Sequence, residues 1–291
     1  MIDVVYGIGG ISVPDHVRAR LAPWSMAAAL GLGVALAVAQ VSHLVPSAQD
    51  AHVYYAAKPG YLYAERYAFA EEPFTYSPAF ADVLAPFRLL PEHWFMALWQ
   101  GGLIAVLVAT IRAWALPVLL IDVAFLLSGV PVSLVLADIA MGNVHVLLGA
   151  AAVAGLRRPG VWAFALLSKL TPGVGLLWFL ARREWRNLAV ALGTTGTVAL
   201  LSFVVIPGDW FEWVRFLAGG EDFPLPVIPV PLAVRLAMSA ALLWWGARAN
   251  HPWVVPVAVG WAIPIPYPTM TATMVCALAY ASGRTPRSLR T

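Results

Sequence analysis

Charge is what this chain has least of. Asp, Glu, Lys and Arg make up 11% of its 291 residues, against roughly 25% in a soluble domain. That is too little polar surface to cover a water-soluble globule. A single cysteine, Cys276, excludes an intrachain disulfide and a cysteine-built metal site. Familiar chemical motifs are also missing. There is no Gly-rich phosphate loop, no Walker motif, no His-x-x-x-His or Glu-x-x-His metal pair and no Gly-x-Ser-x-Gly elbow, which counts against nucleotide-driven transport and zinc proteolysis. No internal repeat stands out. The first apolar run, starting near Leu21, lacks a small-residue cleavage site before polar sequence, so it reads as a retained first helix and signal anchor.

What the chain has in excess is apolar sequence. Hydrophobic residues are 61% of the total, and mean hydropathy is +0.78. Several runs approach the roughly 20 residues needed to cross a bilayer core. They are continuous and rich in Leu, Ala and Val rather than alternating, which favours helices over a β-barrel. The expected fold is an all-α polytopic membrane bundle with about eight to ten membrane segments, in a single domain over residues 1–291. The net charge of +3 sits in short basic clusters between apolar runs. That pattern sets orientation and does not point to nucleic acid.

Arg18 and Arg20 place the N-terminus in the cytoplasm, 21–45 reads as the first spanning helix, and 46–93 becomes a long outer loop with more acidic than basic residues. Within that loop FTYSPAFADVLAPFRLLP predicts a short interfacial helix, with Pro78 near its first turn and Phe80, Leu84 and Phe87 on one apolar face. Residues 94–111 return to the cytoplasm, and 114–129 with 131–155 form a hairpin about Gly129-Val130-Pro131. Residues 160–181 are long enough to cross once, but Arg182, Arg183 and Arg186 would then lie outside. A bent half-helix pair, broken around Lys169-Leu170-Thr171-Pro172-Gly173, is expected instead. Residues 187–206 cross outward to a Trp- and Pro-rich loop, 230–248 return, and 252–281 read as two short helices ending at the cytoplasmic Arg284, Arg287 and Arg290.

The stretch QDAHVYYAAKPGYLYAERYAFAEEPFTYSP, residues 49–78, carries the candidate chemistry as an acidic, aromatic, water-facing loop tied to membrane helices. Asp50 stands where the first apolar run ends. A carboxylate at a bilayer edge can act as a base, although Asp is equally at home as the N-cap of a short helix. Tyr54 lies at i+4 on the same helical face, and Tyr55 and Tyr76 add rings on which a sugar can stack, while aromatics gather at interfaces whatever the function. Asn143 and His145 follow Asp138 in an apolar helix, where polar groups face a cavity or bond to another helix. Lys169, an ammonium in an apolar span, needs a partner: either a phosphate, or Asp122 or Asp138 within the bundle. Arg88 and Arg235 are secondary phosphate candidates.

The order of these pieces resembles glycosyltransferase family 87, the polyprenyl-phosphate-mannose-dependent mannosyltransferases of GT-C type. The residues carrying the resemblance are Asp50-x-x-x-Tyr54-x-Ala56, Tyr63, Pro73-Phe74-Thr75-Tyr76-Ser77-Pro78, Leu84-x-Pro86, Leu90-Pro91 and Trp99. Downstream, Gly142-Asn143-x-His145 resembles the family's Gly-Asn turn, and Ser168-Lys169-x-x-Pro172 with Arg182, Arg183 and Trp185 resembles its Lys-Pro helix with a basic end. The resemblance spans roughly residues 20–190. It implies an inverting transfer of a hexose, mannose by analogy, from a polyprenyl-phosphate donor to a glycolipid or glycan acceptor. Asp50 would be the general base, and Tyr54, Tyr55, Tyr76, Asn143, His145, Lys169, Arg88 and Arg235 would bind substrate. Neither a metal nor a cofactor is expected. The implied location is the cell membrane, with the active site on the outer face. Two other classes share the same residues: a transporter or flippase for a lipid or small solute, and an inactive partner in envelope assembly.

Overall fold

The computed structural model describes residues 49–60, 62–63, 74–128, 135–218, 230–264 and 270–281. The expected N-terminal arm, the 21–45 helix, the 129–131 turn and the C-terminal basic cluster lie outside them. Among the described residues every regular element is helical. In chain order these are α1 Gln49–Ala56, α2 Pro78–Leu84, α3 Glu92–Ile111, α4 Ala115–Leu127, α5 Leu136–Met141, α6 His145–Gly155 and α7 Trp162–Ser168. They continue as α8 Leu177–Ala181, α9 Trp185–Val205, α10 Pro207–Ala218, α11 Leu232–Ala249, α12 Val254–Trp261 and α13 Thr271–Met274, with short 3-10 turns between several of them.

Among the described residues, two helical runs are long and apolar enough to cross a membrane: Glu92–Phe125, which turns at Arg112, and Trp185–Val205. Only 17% and 11% of their most apolar windows are buried inside the protein, so their side chains face outward. Leu116, Leu120, Leu200, Leu201 and Val204 are all more than half exposed. An outward apolar surface of this extent is untenable in water and normal in lipid. The chain is a membrane protein.

α6 sits at the centre, packed on α3, α7, α12 and α13. Val144, Leu148, Ala152 and Leu156 recur every fourth residue into the main core with Trp162, Phe179, Val255 and Val259, while Val146 faces Leu103 and Leu107. A helix with apolar residues on every side is largely buried, and only Ala154 of α6 is exposed.

Three breaks shape the bundle. The first corrects the expected continuous 131–155 helix: α5 ends at Gly142, whose φ of +76° is left-handed, and α6 restarts at His145. Glycine takes that conformation at little cost, and a Cβ here would also collide with Ala51. The second is the expected break at Lys169, which ends α7 in extended conformation before a 3-10 turn over Thr171–Leu176. That turn folds back on α7, with Gly173 against Leu166 and Gly175 against Trp162; the pairing is antiparallel, so Lys169 stands at the tip of a helical hairpin. The third lies after α9, where the expected Trp- and Pro-rich loop begins instead with α10. Its Asp209 and Phe216 are buried while Phe211 and Val214 are exposed, an amphipathic pattern that the Trp and Pro content masks.

α2 forms as expected, with Ser77 extended before Pro78 in the first turn. Ser77 does not cap the helix; its hydroxyl donates to the Leu167 carbonyl at 2.5 Å, tying α2 to the end of α7. Phe80 and Leu84 are buried, but Phe87 is 54% exposed because the chain passes into a 3-10 turn over Phe87–Leu89 and the helical spacing is lost.

Candidate functional site

Most of the described aromatic rings of the 49–78 stretch are not water-facing. Tyr54, Tyr63, Phe74, Tyr76 and Phe80 are all 5% exposed or less. Tyr54 meets Tyr76, Phe80 and Trp99 edge-on, Tyr76 stacks on Phe80, and Tyr63 stacks on Phe216 of α10. Rings satisfied by each other have no reason to stay in water, and their hydroxyls find partners too. Tyr54 and Tyr76 share a 2.6 Å hydroxyl–hydroxyl bond, and Tyr63 donates to the Tyr76 carbonyl at 2.5 Å.

This packing fixes α1, and with it Asp50. The residue lies inside α1 and does not precede it as an N-cap. Its Oδ2 accepts a hydrogen bond from Asn143 Nδ2 at 2.9 Å. Asn143 is itself held, because its Oδ1 accepts the Val144 amide at 2.7 Å. The break at Gly142 is docked on the same neighbourhood, with Trp99 Nε1 donating to the Gly142 carbonyl at 2.6 Å. Asp50 keeps 8% of its surface exposed. Burial pushes its carboxyl above the ordinary carboxylate range; Lys169, His145 and the Asn143 bond pull the other way without cancelling the effect.

A second polar chain runs beside the first. His145 Nδ1 lies 2.7 Å from Asp138 Oδ1, and Lys169 Nζ lies 3.1 Å from His145 Nε2. The ammonium also sits over the Tyr76 ring, 5.6 Å from its centroid, in cation–π range. Asp138 and His145 are at most 1% exposed. The two chains are electrostatic neighbours: Lys169, His145 and Asp138 all act on Asp50. Helices α1, α5 and α6, the loop before α2 and the hairpin tip after α7 therefore deliver Asp50, Tyr54, Tyr76, Asp138, Asn143, His145 and Lys169 to one place.

Three predicted residues fall elsewhere. Tyr55 donates to the Leu90 carbonyl at 3.0 Å and packs on Phe95. Arg88 donates to the Ala57 carbonyl, bracing the end of α1. Arg235 is 1% exposed, and its described bonds run to the carbonyls of Val230, Trp261, Ile263 and Pro264, which makes it a clamp between the start of α11 and the end of α12. Asp138 is visible in the sequence as a neighbour of Asn143 and His145, but its bond to His145 is not. An acid seven positions before a histidine lies on the same helical face, and here a helix break intervenes.

Comparison with known proteins identifies a family for the chain. The family model of glycosyltransferase family 87 matches residues 74–290, reaching further toward the C-terminus than the sequence motifs suggest and beginning after Asp50 and Tyr54. A polyprenol-phosphate-mannose-dependent alpha-(1-2)-phosphatidylinositol pentamannoside mannosyltransferase of Mycolicibacterium smegmatis is 28% identical over 236 residues, 72% of this chain and 56% of the relative. The chain thus spans little more than half the length of that relative. No solved structure matches. With most of its length under the family model, and the site residues Tyr76, Asn143, His145 and Lys169 within it, the chain belongs to glycosyltransferase family 87.

Proposed function

We propose that this protein is an integral membrane glycosyltransferase of GT-C type that moves a hexose, by analogy with its relative mannose, from a polyprenyl-phosphate donor to a glycolipid or glycan acceptor with inversion. The observation that carries this reading is the proximity of Asp50, held by Asn143, to Lys169, held by His145. A proton acceptor beside a fixed ammonium is the pair that such a displacement needs.

In the proposed step the acceptor hydroxyl loses its proton to Asp50 while its oxygen attacks the anomeric carbon. The bond from that carbon to the phosphate oxygen breaks, its electron pair leaves with the lipid phosphate, and the ammonium of Lys169 offsets the charge that develops. Asn143 occupies one carboxylate oxygen, which orients the other toward the alcohol. A mostly buried carboxylate competes little with water for the proton. The reaction calls on neither a metal nor a nucleotide, and the site lies on the outer face of the membrane.

The test is transfer of labelled mannose from polyprenyl-phosphate-mannose in membranes carrying the full chain or its Asp50→Asn variant. Asparagine keeps the shape and removes the proton acceptor. Loss of turnover at normal membrane levels supports the reading. Undiminished turnover rules out Asp50 as the base.

A further inference from the structure

The geometry points to a positioning role for Asp138: acting through His145, it sets the ammonium of Lys169 to receive the phosphate of a polyprenyl-phosphate lipid. This rests on the phosphate role proposed for Lys169 and extends it to a residue that touches no substrate.

The case is one of donors and acceptors. Asp138 Oδ1 lies 2.7 Å from His145 Nδ1, and a carboxylate there accepts a proton-bearing Nδ1. The neutral ring then presents a bare lone pair at Nε2. Lys169 Nζ approaches that nitrogen at 3.1 Å, and an ammonium has only donors to offer. The three groups are compatible in one arrangement: Asp138 accepts, His145 donates from Nδ1 and accepts at Nε2, and Lys169 donates. The opposite tautomer would set N–H against N–H. Asp138 is fully buried. The Val146 amide acts on its carboxyl group, yet its Oδ2 has no hydrogen-bond partner among the described residues. A buried acid with an unpaired oxygen is costly, and that cost falls on a residue whose described side-chain partner is the ring of His145.

The helical breaks supply the mechanics. Asp138 is on α5, His145 opens α6 after the turn at Gly142, and Lys169 is the extended tip of the α7 hairpin. The link therefore joins three separate ends of helix into one phosphate-facing unit.

The experiment measures binding, so it does not depend on turnover. The full chain in detergent is titrated with a short-chain polyprenyl phosphate, as wild type and as Asp138→Asn, Lys169→Ala and the double variant. Asparagine can donate to Nδ1 and so favour the wrong tautomer. Asp138→Asn should weaken binding about tenfold, the scale of one charge-assisted hydrogen bond, and the double variant should bind no worse than Lys169→Ala alone. Should Asp138→Asn fail to accumulate, His145→Phe breaks the same link and carries the same expectation. Unchanged affinity in Asp138→Asn, or losses that multiply in the double variant, would overturn the proposal. Displacement of the lipid by equimolar inorganic phosphate would assign Lys169 to a free anion and would also overturn it. Failure of the transferase reading shows separately, as a wild type that binds the lipid but moves no sugar.

Discussion

Asn143 donates to Asp50 across 93 positions of sequence, and the Val144 amide holds Asn143 for that purpose. The bond joins the turn after α5 to the helix that carries the proposed base. Removing it with Asn143→Ala leaves the carboxylate in place but unanchored. Turnover should fall by about tenfold, the equivalent of one hydrogen bond to a charged group, and by less than in Asp50→Asn, where loss of a general base costs on the order of 10²–10⁴. Initial rates of mannosyl transfer in membranes decide between them.

The same pair predicts a pH dependence. Burial raises the Asp50 carboxyl above its ordinary range, and the Asn143 bond opposes the rise. Only the deprotonated base is active, so activity should grow with pH through this raised value and fall on acidification sooner than for an exposed aspartate. In Asn143→Ala the opposing influence is gone, and the acid limb should move to still higher pH. A limb that stays put would show that Asp50 does not govern it.

Gly142 offers a test of the fold. Its φ is +76°, and a Cβ would strike Ala51 on α1. Gly142→Ala should cost about 1–3 kcal/mol from backbone strain and overpacking together, read as a lower melting temperature in detergent. Gly102 and Gly196 have open space where a Cβ would go, and alanine at either should leave stability unchanged or slightly improved.

Arg235 separates a clamp from a ligand. Four carbonyls lose their partner in Arg235→Met, and unsatisfied buried acceptors cost about 1–3 kcal/mol each. Thermal stability should drop sharply, while the protein that remains folded keeps its donor KM. A rise in donor KM at normal stability would return Arg235 to the phosphate.

The long apolar runs, α3 and α9, are legible in the sequence because length and hydropathy suffice to define them. The break at Lys169 is legible as well, since a charged residue followed by Thr171-Pro172-Gly173 gives an apolar helix no ready way to continue. The break at Gly142 is legible only through the family resemblance, as a Gly-Asn turn; the apolar pattern alone does not show it, because Met141 and Val144 keep that pattern running. α10 reads as loop because Trp and Pro at an interface look alike in a helix or a coil. The spacing puts Tyr54 one helical turn from Asp50, but the burial of Tyr54 comes from Phe80 and Trp99, which no spacing rule brings to it. The types of residue at the site are visible, and their pairing is not, because Asp138, His145 and Lys169 sit on segments that converge only after three helices have ended.

The hairpin beneath Lys169 has one more effect. Its two legs approach as closely as Gly173 and Gly175 allow, with Leu166 and Trp162 filling the space a side chain would need. Widening the legs by a single methyl group would tilt the tip and draw the ammonium off His145 without altering any polar residue. Under the phosphate role proposed for Lys169, a larger residue at either of these two small positions should retune affinity for the lipid carrier from behind, leaving the polar side chains themselves untouched.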